Sequence, residues 1–320
     1  MTSSVVIVNY RTPDLSIRAA RSALADGADQ VVVVDNASGD DSLARLRTLV
    51  DDRLTVIASP ANGGFGSGAN RGAAAATGDT LLFLNSDAAV RAGASAMLAA
   101  QVARDGGDGL AGPRLFGVDG VIQRSAGLLP RPDDLVIRAL GLHRIAHRLS
   151  GIPLLRGAIA RQPMSVEYEQ AIEAAAPIET SMVSGACLAI GRRAFEAIGG
   201  FDERYFMYFE DADLCRRVTE AGWPIRYVPS AEVDHIGGAS APGNYRFGPL
   251  HGPSMVVYLK RWYGAAGGLL ALLLLLARAA GLSLAMRPDA PGARTSLVEG
   301  VRAYRRERTR SPKPASVPVP

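Results

Sequence analysis

Over residues 1–90 the hydrophobic positions fall into short unbroken runs. SVVIVN at 4–9, VVVVD at 31–35, LTVIA at 54–58 and LLFL at 81–84 are β-branched or leucine-rich. Such runs are too short for buried helices and too continuous for half-exposed strands, so they predict parallel strands buried on both faces. Between them the pattern becomes helical, at 13–26 behind Pro13-Asp14, at 40–50 behind Ser38 to Asp41, and at the alanine-rich 67–77. The alternation predicts an α/β fold, doubly wound, with a mostly parallel central sheet flanked by helices.

Beyond residue 110 the runs shorten. Residues 110–127 predict short strands around an Asp119-Gly120 turn. Residues 128–177 are basic, Pro-punctuated and helix-leaning, with a mobile connection expected around 150–165. MVSGACLAIG at 182–191 predicts a strand, a helix follows from Arg192, LCRRVTEAG predicts another helix, and PIRYVPSAEVDHIGG predicts an extended segment carrying His235. Ala265 to Ala277 carries no charge before Arg278 interrupts. That run falls short of the ~20 residues of a bilayer span. With Lys260, Arg261, Trp262 and Tyr263 at its front it predicts a helix lying on, or dipping into, a membrane leaflet. The alternatives are a true span, a buried helix, or a contact between copies in a homo-oligomer. The tail after Arg302 is basic, then Pro-rich, and predicts disorder.

Composition narrows the classes. The 320 residues are 48% hydrophobic and 21% charged, which is globular. Two cysteines and four histidines exclude a disulfide framework and a structural zinc cluster, so a reducing cytoplasm is expected. The net charge of +4 is carried mostly by arginine, without aromatic-interleaved basic motifs, which favours an anionic surface or substrate over nucleic acid. MTSSVVIVNY lacks the basic and apolar regions of a signal peptide, and the chain is expected to stay inside the cell.

In a doubly wound sheet, ligands bind outside the carboxyl ends of the strands. Those ends are Asn9-Tyr10-Arg11, Asp35-Asn36-Ala37-Ser38, Asn62-Gly63-Gly64-Phe65-Gly66 and Asn85-Ser86-Asp87. Each alone is ordinary turn or cap chemistry. Four in succession on one edge point to a polar ligand site. Gly64 to Ala69 spells G-x-G-x-x-A, yet it sits at the third strand, whereas a dinucleotide fingerprint belongs at the first βα turn, and Asn9 to Asp14 there has no glycine. The acids Glu210, Asp211 and Asp213 follow the aromatic cluster at 205–209. They read either as helix-dipole partners or as a source of a general base with raised pKa. His235 is a lone histidine with Asp234 as an alternative polar residue, and beside Asp87 its imidazole would suit a divalent ion.

As an ordered set these residues resemble glycosyltransferase family 2, of GT-A fold, and within it the bacterial rhamnosyltransferase-like branch. The likeness runs through Val8-Asn9-Tyr10, Asp35 to Ser38, Asn62 to Gly66 with Asn70, Asn85-Ser86-Asp87, Ser184-Gly185-Ala186, Gly199 to Asp202, Glu210 to Leu214 and His235. The resemblance implies an inverting, metal-dependent transfer of a sugar from a nucleotide-diphospho-sugar, with dTDP-rhamnose as the expected donor. It implies that Asp35 holds the base or ribose, with Asn9, Tyr10, Asn62, Gly64, Asn70 and Asn85 in the donor site. Asp87 would bind the diphosphate and, with His235, Mg2+ or Mn2+. Asp211, second in the Glu210-Asp211 pair, would be the base. Asn85 stands where the family's D-x-D signature has its first acid, leaving one carboxylate.

The implied organisation is a transferase domain over 1–240, with a nucleotide-sugar half at 1–110 and an acceptor and catalytic half at 111–240 interrupted by an insertion at about 128–180. A helical membrane-associating region over 241–301 and a disordered tail over 302–320 complete it. The expected acceptor is a polyprenyl-diphosphate-linked sugar or a polysaccharide in cell-envelope synthesis, met at the cytoplasmic face of the plasma membrane. A non-catalytic homologue that binds a sugar nucleotide or a glycan and a nucleotidyltransferase are the rival readings.

Overall fold

Continuous apolar strands require cover on both faces, and the computed structural model supplies it. It describes residues 1–139, 173–238, 249–284 and 290–308. The connection expected at 150–165, most of the 128–180 insertion and the Pro-rich end lie outside the described residues.

The strands are β1 (Ser3–Asn9), β2 (Gln30–Asp35), β3 (Leu54–Ala58), β4 (Thr80–Asn85), β5 (Ala88–Val90), β6 (Leu110–Phe116), β7 (Ile122–Gln123), β8 (Ala126–Gly127), β9 (Ile178–Glu179), β10 (Met182–Val183), β11 (Cys187–Gly191) and β12 (Ile225–His235). The helices are α1 (Pro13–Ala25), α2 (Ser42–Leu46), α3 (Phe65–Ala75), α4 (Ala94–Arg104), α5 (Pro132–Ala139), α6 (Arg192–Ala197) and α7 (Glu210–Glu220), followed by a C-terminal helical region. The main sheet runs β3-β2-β1-β4-β11-β6-β12-β5. β1 to β4 are parallel, and β11 enters antiparallel between β4 and β6. The result is a mixed and mostly parallel sheet with helices on both faces, as the sequence pattern predicts.

Alternate residues of one strand serve two cores. Val5, Ile7, Val31, Val33, Leu82 and Leu84 pack with Ala19, Ala20 and Ala23 of α1. Val6, Val8, Val32, Val34, Leu81 and Phe83 pack with Ala69 and Ala73 of α3. Helix α3 lies so close to the sheet that a Cβ on Gly68 would fall 2.7 Å from Val8 Cγ1. The expected helix at 40–50 contracts to α2, and the expected strand at 182–191 divides into β10 and β11 around a turn at 184–186.

The C-terminal run His251–Leu284 is long and apolar enough to cross a membrane by length and composition. It is not one rod. Tyr263 (φ −129°, ψ 17°) and Gly264 (φ 68°, ψ −165°) leave helical geometry, dividing it into α8 (251–262) and α9 (265–284). A Cβ on Gly252 would lie 3.1 Å from Leu275 Cδ2, so α9 folds back along α8. Ala290–Arg308 forms α10. A Cβ on its Gly300 would lie 2.7 Å from Leu275 Cδ1 and 3.4 Å from Val256 Cγ2, closing a three-helix bundle. Residues 302–308 are therefore helical where a disordered tail is expected, because Ala303 and Tyr304 pack against the bundle and Lys260 Nζ donates to the Tyr304 carbonyl at 3.0 Å.

The bundle is tied to the sheet domain through α7. Met255 to Leu259 of α8 pack on Tyr205, Phe209 and Ala212. Beneath them the carboxylate of Asp213, fully buried, pairs with Arg217 Nε (2.7 Å) and Arg261 Nε (3.2 Å). It also accepts hydrogen bonds from Trp262 Nε1 (3.0 Å) and the Tyr205 hydroxyl (3.2 Å). Arg217 in turn donates to the carbonyls of Ile198 (2.9 Å) and Gly200 (2.7 Å). Asp213→Ala would leave the buried Arg217 guanidinium without its counter-ion, while Arg261 would keep Asp202, and it should lower unfolding free energy by about 3–5 kcal/mol in chemical denaturation. A loss below about 1 kcal/mol, the size of a surface ion pair, would mean the cluster is not the tie described.

Candidate functional site

The parallel register sets the polar strand ends side by side: Asn9 pairs with Asp35 and Val8 with Asn85. Asn9 is fully buried, and its amide donates to Asp35 Oδ1 (2.8 Å) and Ser38 Oγ (3.1 Å) while its carbonyl oxygen accepts from Ser16 Oγ (2.8 Å). Its side chain therefore holds Asp35 in place. Ser38 Oγ also donates to Asp35 Oδ1 at 2.5 Å. Tyr10 is half-buried, with the Arg11 guanidinium 5.1 Å from its ring centroid. Arg11 (φ 58°) and Ala37 (φ 56°) both hold left-handed backbone conformations, a strain of about 1–3 kcal/mol each that gathers at functional loops.

In the third loop Gly64 (φ 85°) is required twice over, since a Cβ there would also collide with the Phe206 carbonyl oxygen. Asn62 Oδ1 accepts from the Gly64 amide (3.0 Å) and from Asn36 Nδ2 (3.0 Å), which shapes the loop. Asn70 acts elsewhere. Its amide nitrogen donates to the Phe201 carbonyl (2.9 Å) and Glu203 Oε1 (3.0 Å), and its oxygen accepts from the Phe201 amide (2.9 Å). It clamps the 199–203 turn, and its polar atoms are engaged by protein.

The fourth strand end turns sharply into β5. Asp87 is buried, its Oδ2 accepts from the Gly237 amide at 3.0 Å, and its carbonyl accepts from the Ile236 amide at 3.0 Å. Pairing of β5 with β12 sets Ala88 opposite His235 and brings His235 Nε2 to 3.5 Å from Asp87 Oδ1. Asp234, the sequence alternative to His235, forms an ion pair with Arg91 Nη2 at 2.7 Å. One buried carboxylate and one imidazole fit a divalent cation as hard oxygen and nitrogen donors. Among the described residues no third His, Cys, Asp or Glu joins them, so the rest of the shell would come from ligand and water.

The acids of α7 separate into three environments. Tyr208 (φ 70°) and Phe209 (φ 67°) enter the helix through left-handed backbone. Glu210 follows, buried, with Oε2 lacking a hydrogen-bond partner. Burial, and then the neighbouring Asp211 charge, push its carboxyl up to about 8. Asp211 Oδ2 accepts from the Gly185 amide (3.0 Å) and Oδ1 from the Ala212 amide (2.8 Å). Burial raises its carboxyl too, against those hydrogen bonds. Asp213 faces the ion-pair cluster. The 184–186 turn joins the two halves of the site, because Ala186 carbonyl accepts from the Asn85 amide at 2.9 Å one residue from the Gly185 amide that holds Asp211. A basic carboxylate beside a polar edge that fits a diphosphate and a cation can take a proton from a hydroxyl attacking there.

Comparisons with known proteins bear on this geometry. The family model described as Glycosyl transferase family 2 matches residues 4–199. An N-acetylglucosaminyl-diphospho-decaprenol L-rhamnosyltransferase of Mycobacterium tuberculosis is 41% identical over 129 residues, 40% of this chain and 37% of that protein. The match thus spans little more than a third of the relative's length. Among solved structures, GalNAc-T7 with UDP, GalNAc and Mn2+ has a TM-score of 0.58 at 18% identity, covering 83% of this chain and 48% of that one. The mannosyltransferase PcManGT of Pyrobaculum calidifontis, in complex with GDP-Man and Mn2+, has a TM-score of 0.51 at 16% identity, covering 96% and 87%. At these identities the two structures share the fold.

The Glu210 environment has a thermodynamic signature. Its folded-state pKa, about 8 against an ordinary 4.5, means the folded state holds the proton more tightly than the unfolded chain. That contribution is complete below pH 4.5 and is lost as pH rises through about 8. Glu210→Gln should therefore melt close to wild type at pH 5 and above it at pH 9. Equal melting temperatures at both pH values would remove the buried, proton-holding Glu210.

Proposed function

The chain belongs to glycosyl transferase family 2, and on that premise we propose that it is an inverting rhamnosyltransferase of cell-envelope glycan synthesis, moving rhamnose from dTDP-rhamnose to a polyprenyl-diphosphate-linked sugar. That it is a glycosyltransferase follows from the family match, and its relatives point to the rhamnosyltransferase-like branch. The rhamnosyl group and the polyprenyl-diphosphate-linked acceptor are suggested by the name of the mycobacterial relative, and dTDP-rhamnose as donor by the resemblance in the chain's own motifs. The observation that carries the mechanism is Asp211, a carboxylate of raised basicity held by the same turn that anchors the polar end of β4.

Asp35, fixed by Asn9 and Ser38, would take the nucleoside, with Tyr10 and the loop shaped by Asn62 and Gly64 beside it. Asp87 and His235 would hold Mg2+ or Mn2+, which when bound supplies positive charge against the departing diphosphate. Asp211 accepts the proton of the acceptor hydroxyl as its oxygen attacks the anomeric carbon from the face opposite the diphosphate. The bond from that carbon to the diphosphate oxygen breaks, the nucleoside diphosphate departs with the electron pair, and the proton stays on Asp211. Glu210, largely protonated at neutral pH, keeps a second negative charge away from the base.

The bundle supports a peripheral membrane position at the cytoplasmic face. Leu269, Leu273, Leu276 and Leu284 of α9 are exposed, whereas Gly268, Ala271, Leu275 and Ala279 are buried inside the protein. A helix with only one face open, packed against an α10 rich in arginine, suits the interface plane better than a span.

Asp211→Asn should lower kcat by about 100- to 10,000-fold while donor binding, followed by thermal stabilisation with dTDP-rhamnose, persists. Retained turnover would remove Asp211 as the base. Replacing Leu269, Leu273 and Leu276 together by Gln should move the protein from the membrane to the soluble fraction, and continued sedimentation with membranes would remove α9 as the anchor.

A further inference from the structure

His235 presents Nε2, not Nδ1, to Asp87, and Gln123 explains why. Gln123 lies on β7, opposite Leu115 of β6, in a hairpin closed by Gly117 amide to Val121 carbonyl (2.8 Å) and Val121 amide to Asp119 Oδ1 (3.0 Å). Its side chain meets His235 twice. Nε2 donates to the His235 carbonyl at 2.9 Å, and Oε1 lies 2.8 Å from His235 Nδ1. A backbone carbonyl can only accept, so the amide nitrogen must face it. The amide oxygen is thereby turned to the ring, and because that oxygen also only accepts, Nδ1 must carry the hydrogen. In the neutral imidazole the lone pair is then on Nε2, the atom 3.5 Å from Asp87 Oδ1.

We propose that Gln123 is a positioning residue, whose two contacts with His235 fix the ring orientation and the Nδ1–H tautomer so that Nε2 is available at the diphosphate and cation corner. This rests on the reading of Asp87 and His235 as that corner. A protein ligand oriented by a polar partner on its far nitrogen is more basic and better aimed, and loss of such a partner typically weakens metal affinity about 10- to 100-fold. Residues 117–123 then do more than extend the sheet: they deliver an amide to the far side of a histidine from a hairpin distant in sequence.

Full-length protein labelled with 15N-histidine would report the tautomer directly by NMR, the His235 signals being assigned by their loss in His235→Asn. Wild type should show a protonated Nδ1 and an unprotonated Nε2. Gln123→Met, close in shape but without donor or acceptor, should lose that preference. It should also weaken Mn2+ binding in the presence of dTDP, read from the free-ion EPR signal, about 10- to 100-fold, with its melting curve as a control for folding. An unprotonated Nδ1 in wild type, or a Gln123→Met protein that keeps both tautomer and affinity, would overturn the proposal. If the tautomer behaves as expected but neither Gln123→Met nor His235→Asn changes Mn2+ binding, the corner reading itself fails.

Discussion

A carboxylate taken out of water must be met by cations, and at Asp213 that requirement organises the functional half of the molecule. Arg217 answers it from the same helix and reaches on to the 198–200 carbonyls. Arg261 and Trp262 answer it from the C-terminal bundle. Helix α7 is thereby held between the sheet domain and the bundle, which fixes where its first turn places Glu210 and Asp211. Removing Asp213 would leave Arg217 uncompensated in a dry interior, at a cost far above that of a surface pair. The last residues of α8 before the Tyr263–Gly264 break therefore steady α7 as well as lead into α9.

Three neighbouring acids consequently have three different roles. Asp213 has its charge compensated and is structural. Glu210 is buried with Oε2 unpartnered, and that burial, then the Asp211 charge, push its carboxyl up to about 8. Asp211 is stabilised by two backbone amides yet kept basic by burial. Spacing along the helix turns Asp211 away from both Glu210 and Asp213, since residues one or two apart do not share a face, while Asp213 differs from Glu210 through its ion pairs with Arg217 and Arg261. The backbone strain at Tyr208 and Phe209 immediately before them is the local sign that the approach to the helix is constrained by the site as well as by the fold.

Much of the fold of residues 1–110 was legible in the residues. Buried parallel strands advertise themselves as unbroken apolar runs, and 4–9, 31–35, 54–58 and 81–84 stand within a residue or so of their observed limits. Antiparallel β11 was harder to place, since nothing local in CLAIG says that it slips between β4 and β6. Asn9 was legible as a polar strand end and Asn70 only through the family resemblance, but not that Asn9 would orient Asp35 or that Asn70 would clamp a turn at residue 201, since both depend on contacts distant in sequence. Gln123 carried no signal for the same reason. The break at Tyr263–Gly264 lacked a proline to announce it, and the helix through Arg308 owes its order to packing that composition does not reveal.

What matters most is whether the polar ends of β1, β2 and β4 form one donor site facing Asp211. A crystal structure of Asp211→Asn with dTDP and Mn2+ decides it. The nucleoside is expected beside Asp35, the diphosphate and metal between Asp87 and His235, and residue 211 facing the open side of the terminal phosphate, where the sugar would stand. A diphosphate bound away from Asp87 and His235, with the nucleoside clear of Asp35, would contradict that arrangement.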